Sequence, residues 1–325
     1  MARDAAIAAI RCHNRDVIAT AADTSWSWAP GPLIAITVLL VAYLWRFWSA
    51  RRAARTKRGV ELWRLGSWLV GLTALGVALL SPVDTLAEQV FAMHMVQHVL
   101  LLDVAPIFMI LGLSKVLLRP VARTILDLER GLGFLAHPAF AVCAYVGMMV
   151  LWHVPFMYDS ALQHDAVHVL EHVAFSAVGW LYWWHLLSPV RSRVMTGFSP
   201  VVYMLTTKIG VGLLGVVLTF TPEPLYDFYV RGDRIWGLTA QEDQTVAGAI
   251  MALEQSVVMG TALAFLFVAA LRDSERQAQR EDSLAAENGA VRDRLAAGQR
   301  DVALDADAGA EGDVALDAQS TAADQ

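Results

Sequence analysis

Seven stretches of this chain are apolar over the length that a bilayer demands, and that leaves few folds open. Crossing the hydrocarbon core takes about 20 mostly apolar residues in a helix. Residues 33–48, 63–80, 89–112, 139–156, 164–187, 200–220 and 245–271 qualify, the first with help from the segment 26–32. None alternates polar and apolar residues at period two, which argues against barrel strands. In hydrocarbon every backbone amide must bond within its own segment, so each span is predicted to be a helix. Composition agrees: 56 % of residues are hydrophobic and 17 % charged, whereas soluble domains carry about 25 % charged residues. Two cysteines, Cys12 and Cys143, exclude a disulfide scaffold and a Cys-rich metal cage.

The basic residues alternate between loops. Arg46, Arg51, Arg52, Arg55, Lys57, Arg58 and Arg64 surround the first-to-second loop. Lys115, Arg119, Arg123 and Arg130 follow the third span, Arg191 and Arg193 the fifth, and Arg272, Arg276 and Arg280 the seventh. The intervening loops hold only Arg231 and Arg234. The excess of Lys and Arg on the cytoplasmic side of membranes then predicts an N-out, C-in topology. The expected fold is all-α: a multi-pass plasma-membrane protein with an extracytoplasmic arm (1–31), a seven-helix membrane domain (32–271) and a cytoplasmic tail (272–325). The arm lacks the pattern of a cleaved signal peptide, so the first span reads as an uncleaved anchor. From Arg272 onward there are 13 acidic and 6 basic residues, against 18 and 19 in the rest. The net charge of −6 therefore belongs to the tail, and nucleic-acid binding has no support. Rich in Ala, Asp, Glu and Gly, the tail is expected to be largely disordered after a short helical extension of the seventh span.

Ionisable residues inside a bilayer are costly and point to function by default. His94 and His98 open the third span, His153 ends the fourth, and His164, His168 and His172 begin the fifth. At about 1.5 Å per residue, His94, His98, His168 and His172 lie roughly 6–14 Å below the outer surface. Each of the two pairs is spaced i,i+4 and so shares a helix face. Met251 and Glu254 enter on the seventh span at similar depth. Imidazoles and thioethers together suit soft or borderline metals, above all Cu(I); zinc accepts imidazole and carboxylate. Three other readings stay open. Such histidines can simply bond neighbouring helices, a pair on facing helices can hold haem, and His168-Val-Leu-Glu171-His172 fits the H-x-x-E-H pattern of an inverted zincin.

Three blocks carry a resemblance. The first is Met93-His94-Met95-Val96-Gln97-His98 with Leu100-Leu101, Ala105-Pro106 and Leu111-Gly112. The second runs from Trp152-His153-Val154-Pro155 through Tyr158-Asp159, Ala161-Leu162 and His168-x-x-Glu171-His172 to Tyr182-Trp183-Trp184. The third is Asp243-Gln244, Ala247-Gly248 and Ile250-Met251. Their order and spacing resemble the CtaG family of bacterial cytochrome c oxidase assembly factors, over roughly residues 30–271. The resemblance implies a polytopic, non-enzymatic membrane protein needed to form active oxidase, with a role in copper delivery. Its partners would be oxidase subunits, other copper chaperones and membrane lipid.

The expected site is a copper centre, with Cu(I) favoured, built from His94, His98, His168 and His172. His153 and Met251 are candidate further ligands. Gln97 and Glu171 are expected to orient the imidazoles, and His164 to stand at the mouth. Asp103 and Lys208 match in depth and are expected to form an intramembrane ion pair. The rival functions are a copper transport or resistance protein and an intramembrane metalloprotease.

Overall fold

The computed structural model describes residues 21–190, 195, 197–268, 271–272, 274–289 and 292. Arg191, Arg193 and most of the N-terminal arm lie outside the described residues. The first unit, up to Phe267, is built of helices, with no β-strand among the described residues. In chain order the helices that form the spans and the site are α1 (Pro30–Ala53), α2 (Leu62–Leu80), α3 (Phe91–Gly112), α4 (Pro138–Trp152), α5 (Pro155–Gln163), α6 (Asp165–Leu187), α7 (Ser199–Phe220) and α8 (Ala240–Val268).

Five of these, α1, α2, α3, α7 and α8, are long and apolar enough to cross a membrane, and the bent pair α4 and α5 together makes a sixth. The helix over the expected fifth span, α6, has 23 residues. Asp165, His168, Glu171, His172 and His185 on that helix lower its mean hydropathy. Large apolar side chains stay exposed along helical stripes: Ile34, Val38, Val41 and Trp45 on α1, and Val202, Leu205, Ile209 and Leu213 on α7. Stripes of that length face lipid in a membrane protein.

The expected fourth span is interrupted. The chain turns by 73° between α4 and α5, because Pro155 has no N–H and forces Val154 into an extended conformation. α3 is also irregular: Leu100–Val104 forms a π turn in which the Ala105 N–H reaches the Leu100 carbonyl. Pro106, just beyond, lacks the N–H that the ordinary register requires of it.

Two packing devices bring the site helices together. Gly179 of α6 lies directly on the Leu102 backbone of the π turn, and a Cβ there would fall onto the Leu102 carbonyl oxygen. Gly248 of α8 meets α7, where a Cβ would come within 2.7 Å of the Gly215 carbonyl oxygen. On the far side of α3, Tyr43 stacks on Trp68 at 4.3 Å and its hydroxyl donates to the Gly112 carbonyl. Arg46 donates to the carbonyls of Val116 and Leu117, and Arg64 to that of Leu111. These arginines, counted above only as loop charge, satisfy carbonyls at and beyond the end of α3.

The second unit begins at Val268. Its described stretch 274–289 is helical. Ala, Glu, Gln and Arg favour helix there, and Gln277 Nε2 donates to Glu281 Oε1 one turn on at 3.3 Å.

The Gly179 contact is testable. Gly179→Ala should lower the stability of the detergent-solubilised protein by about 1–3 kcal/mol, the usual cost of overpacking. Gly147→Ala, at a site with nothing within 4 Å, should leave the melting temperature unchanged or higher. Equal melting temperatures for the two variants would contradict this packing.

A candidate metal centre between two helices

α3 begins where a carboxylate from another helix holds it. The Phe91 and Ala92 amides donate to Asp243 Oδ2 and Oδ1 at 2.7 and 2.9 Å. A negative charge at the positive end of a helix is favourable, and it satisfies amides that no helix residue can. The first turn is thereby fixed, and His94 and His98 follow on one face. Gln244, the next residue, accepts from the Leu225 amide at 2.7 Å and ties down the loop between α7 and α8. Sequence reasoning gave Asp243 and Gln244 no role at the site; only their place in a motif marked them.

From α6 come His168, Glu171 and His172, which share a face at spacings of three and four. Glu171 is fully buried, with Oε2 3.7 Å from His94 Nε2 and Oε1 3.6 Å from His98 Nε2. Within each helix the paired rings lie 4.3 Å (His94–His98) and 4.2 Å (His168–His172) apart. Between helices, His94 is 5.6 Å from His168, and His98 is 6.2 Å from His172. Two ligand sets emerge, His94 with His168 and Glu171, and His98 with His172 and Glu171. Within each set the candidate ligand atoms are all within 4.8 Å of one another.

The donor atoms fit a metal. Both nitrogens of His94 and His98, Nε2 of His168 and His172, and both oxygens of Glu171 are buried without a hydrogen-bond partner. Folded proteins satisfy roughly 90 % or more of such atoms, and each one left over costs about 1–3 kcal/mol. Concentrating them in one place requires a compensating cation or protons. Ligand atoms each about 2.0–2.1 Å from a tetrahedral ion stand roughly 3.3–3.4 Å apart, close to the 3.6 and 3.7 Å gaps from imidazole to carboxylate.

The surroundings exclude water from one side. Tyr158 lies 5.1 Å from His94 and packs with Phe91 and Tyr226 at 5.2 and 4.2 Å. Tyr226 donates to the His153 carbonyl and Tyr229 to that of Ala87, so this aromatic cover ties four segments together. His153 is buried beside it. Its Nδ1 lies 2.7 Å from the Met149 carbonyl, leaving Nε2 without a partner. When Nδ1 carries the proton, Nε2 presents a lone pair. Met251 lines a cavity of about 10 Å³ with His98, Met95, Met149, Asp103 and Glu254.

Other expected residues take different places. Glu171 stands between the histidine pairs, in the position of a ligand. Gln97, expected beside it, turns away, and its Nε2 donates to the Ala78 carbonyl and to Asp84 Oδ1, both at 2.8 Å. Asp84 lies outside the spans, where burial pushes its carboxyl above the usual range against hydrogen bonds from Ser27 and Gln97. His164 is exposed at the α5–α6 corner, with no ring contact to the cluster among the described residues. Asp103 is held by the Tyr145 hydroxyl at 2.8 Å and the Trp183 indole N–H at 2.8 Å, in place of the expected Lys208. Lys208 follows the buried Thr207 on α7 and is half-buried. His137 and His185 bond backbone away from the cluster.

The model of a known family, described as the cytochrome c oxidase caa3 assembly factor, matches residues 41–273. The chain belongs to that family. The matched region contains every residue of the histidine cluster. Among curated proteins the chain is 25 % identical over 282 residues to an uncharacterized protein of Mycobacterium leprae, covering 78 % of this chain and 41 % of that protein. Uncharacterized proteins of Mycobacterium bovis and Mycobacterium tuberculosis are each 26 % identical over 215 residues, covering 57 % of this chain and 31 % of theirs. The chain thus spans less than half the length of these relatives. No solved structure matches.

Asp243 provides a test of how the site is positioned. Asp243→Ala should cost about 0.5–2 kcal/mol, as loss of a helix cap does, and should speed hydrogen exchange at the Phe91 and Ala92 amides. Unchanged exchange at those amides would contradict the capping role.

Proposed function

We propose that this assembly factor holds copper in the His94, His98, His168, His172 and Glu171 cluster and passes it to the oxidase by ligand exchange. The observation that carries the reading is the buried Glu171 carboxylate, without a hydrogen-bond partner and faced by the Nε2 atoms of two histidines. Membership of an oxidase assembly family supports copper over other borderline ions, because oxidases contain copper centres. Imidazole and carboxylate accept Cu(II) or Zn(II), and Met95, Met149 and Met251 beside His98 add the softer donors that Cu(I) prefers. His153, with a free Nε2 next to the cluster, is the candidate station for exchange.

The chain is read as seven spans in the plasma membrane, N-out and C-in, which places the cluster near the outer face. The alternation of basic loops supports this orientation. α6, more polar than the other spans, would sit inside the bundle with its histidines turned from lipid. Fusions of a topology reporter at Arg55 and Arg123 should read cytoplasmic, and fusions at Asp84 and Asp233 outside. A cytoplasmic signal at Asp233 would overturn the seven-span count.

The chemistry is binding and release, with no bond made on a substrate. In an H-x-x-E-H protease the glutamate activates a metal-bound water. Here the Glu171 oxygens face His94 and His98 of another helix, which suits a ligand. Protein purified from copper-supplemented cells should contain copper, and His94→Ala/His98→Ala/His168→Ala/His172→Ala should lose it while still inserting. Oxidase activity in the mutant strain should fall with it under copper limitation. Full oxidase activity and unchanged metal content would sink the reading, and zinc or haem in place of copper would redirect it.

A further inference from the structure

We propose that the cluster is a two-metal site, with Glu171 bridging one ion on His94 and His168 and a second on His98 and His172. This rests on the reading of the cluster as a metal centre and extends it to stoichiometry and ligand sharing.

Three observations carry it. First, the carboxylate is split between the two sets: Oε2 faces His94 and Oε1 faces His98, at 3.7 and 3.6 Å. A glutamate serving a single ion turns one oxygen, or both, toward one point. Here each oxygen addresses a different imidazole, as in a carboxylate that spans two cations. Second, the donors outnumber what one ion can use. A tetrahedral ion takes four ligand atoms, whereas the five residues present eight buried atoms without hydrogen-bond partners. Six of these, one nitrogen from each histidine and both carboxylate oxygens, divide into two sets of three. Third, those sets are the two compact groups that the geometry yields, each with its candidate ligand atoms within 4.8 Å of one another and Glu171 common to both.

The backbone explains why the pairing crosses between helices. His94 and His98 are one turn apart on α3, and His168 and His172 one turn apart on α6. Each turn of one helix therefore meets a turn of the other, and Glu171 reaches both levels from the middle. Three protein ligands per ion leave a coordination position open on each, which exchange with a partner requires. A single carboxylate compensates one positive charge, so the site suits monovalent copper better than a pair of divalent ions. Asp84 and Glu88 interact electrostatically with His94 and add further negative charge.

The test uses full-length protein in detergent. It is loaded with Cu(I) under anaerobic conditions, freed of unbound metal, and its copper per chain is measured by mass spectrometry. A second sample loaded with Cu(II) is examined by electron paramagnetic resonance. Wild type should hold two copper ions per chain, and the Cu(II) sample should give an integrated spin signal below its copper content, because a bridging carboxylate couples the two unpaired electrons. His94→Ala/His168→Ala and His98→Ala/His172→Ala should each hold one ion with the full signal of an isolated copper. One ion in wild type, or two with full uncoupled signal, overturns the two-metal site while leaving a metal centre in place. No copper in wild type overturns the metal centre and this inference together. The wild-type measurements decide the matter even where a double variant fails to fold.

Discussion

A carboxylate buried at 0 % exposure with no donor to satisfy it is the constraint on which this structure turns. Taking an ionised group out of water costs several kcal/mol unless a partner compensates it. Glu171 is faced by the His94 and His98 imidazoles, whose ring nitrogens are themselves without hydrogen-bond partners. The arrangement calls for a compensating cation or for protons on these groups. That requirement links family membership, helix placement and the proposed chemistry.

The rest of the fold serves to hold that cavity at fixed width. The π turn at Leu100–Val104 shifts the register of α3 below its histidines, and Gly179 lets α6 rest on the Leu102 backbone at that level. Asp243 sets the beginning of α3 from α8, and Tyr158, Tyr226 and Phe91 close the side next to His94. The Pro155 break turns α5 by 73° so that Tyr158 can reach this place. Irregular backbone in a membrane protein is tolerated where it is buried in protein, and both irregularities here flank the histidines.

Much of this was legible in the sequence, because helical periodicity is simple. Spacing by four put His94 with His98 and His168 with His172, and residue rise put both pairs at one depth. What spacing cannot give is the rotation of one helix against another. For that reason Glu171, expected to orient the rings, stands between them, while Gln97, expected beside it, faces α2 and Asp84. The same limit applies to Asp103, expected to pair with Lys208. Their depths agree, but Asp103 points to Tyr145 and Trp183, whose ring donors satisfy the carboxylate without a countercharge. The break before Pro155 is an X-Pro step set within an apolar run, where hydropathy alone does not mark it. The capping by Asp243 could not be read at all, since 151 residues separate it from Ala92.

The account stands or falls on which atoms surround the metal. X-ray absorption at the copper edge of the purified, copper-loaded protein measures this directly. The account predicts a first shell of nitrogen and oxygen at about 2.0–2.1 Å, with the outer-shell scattering of imidazole rings, and loss of that imidazole signal in His94→Ala/His98→Ala/His168→Ala/His172→Ala. A first shell of sulfur alone, or an imidazole signal that survives those substitutions, would contradict it.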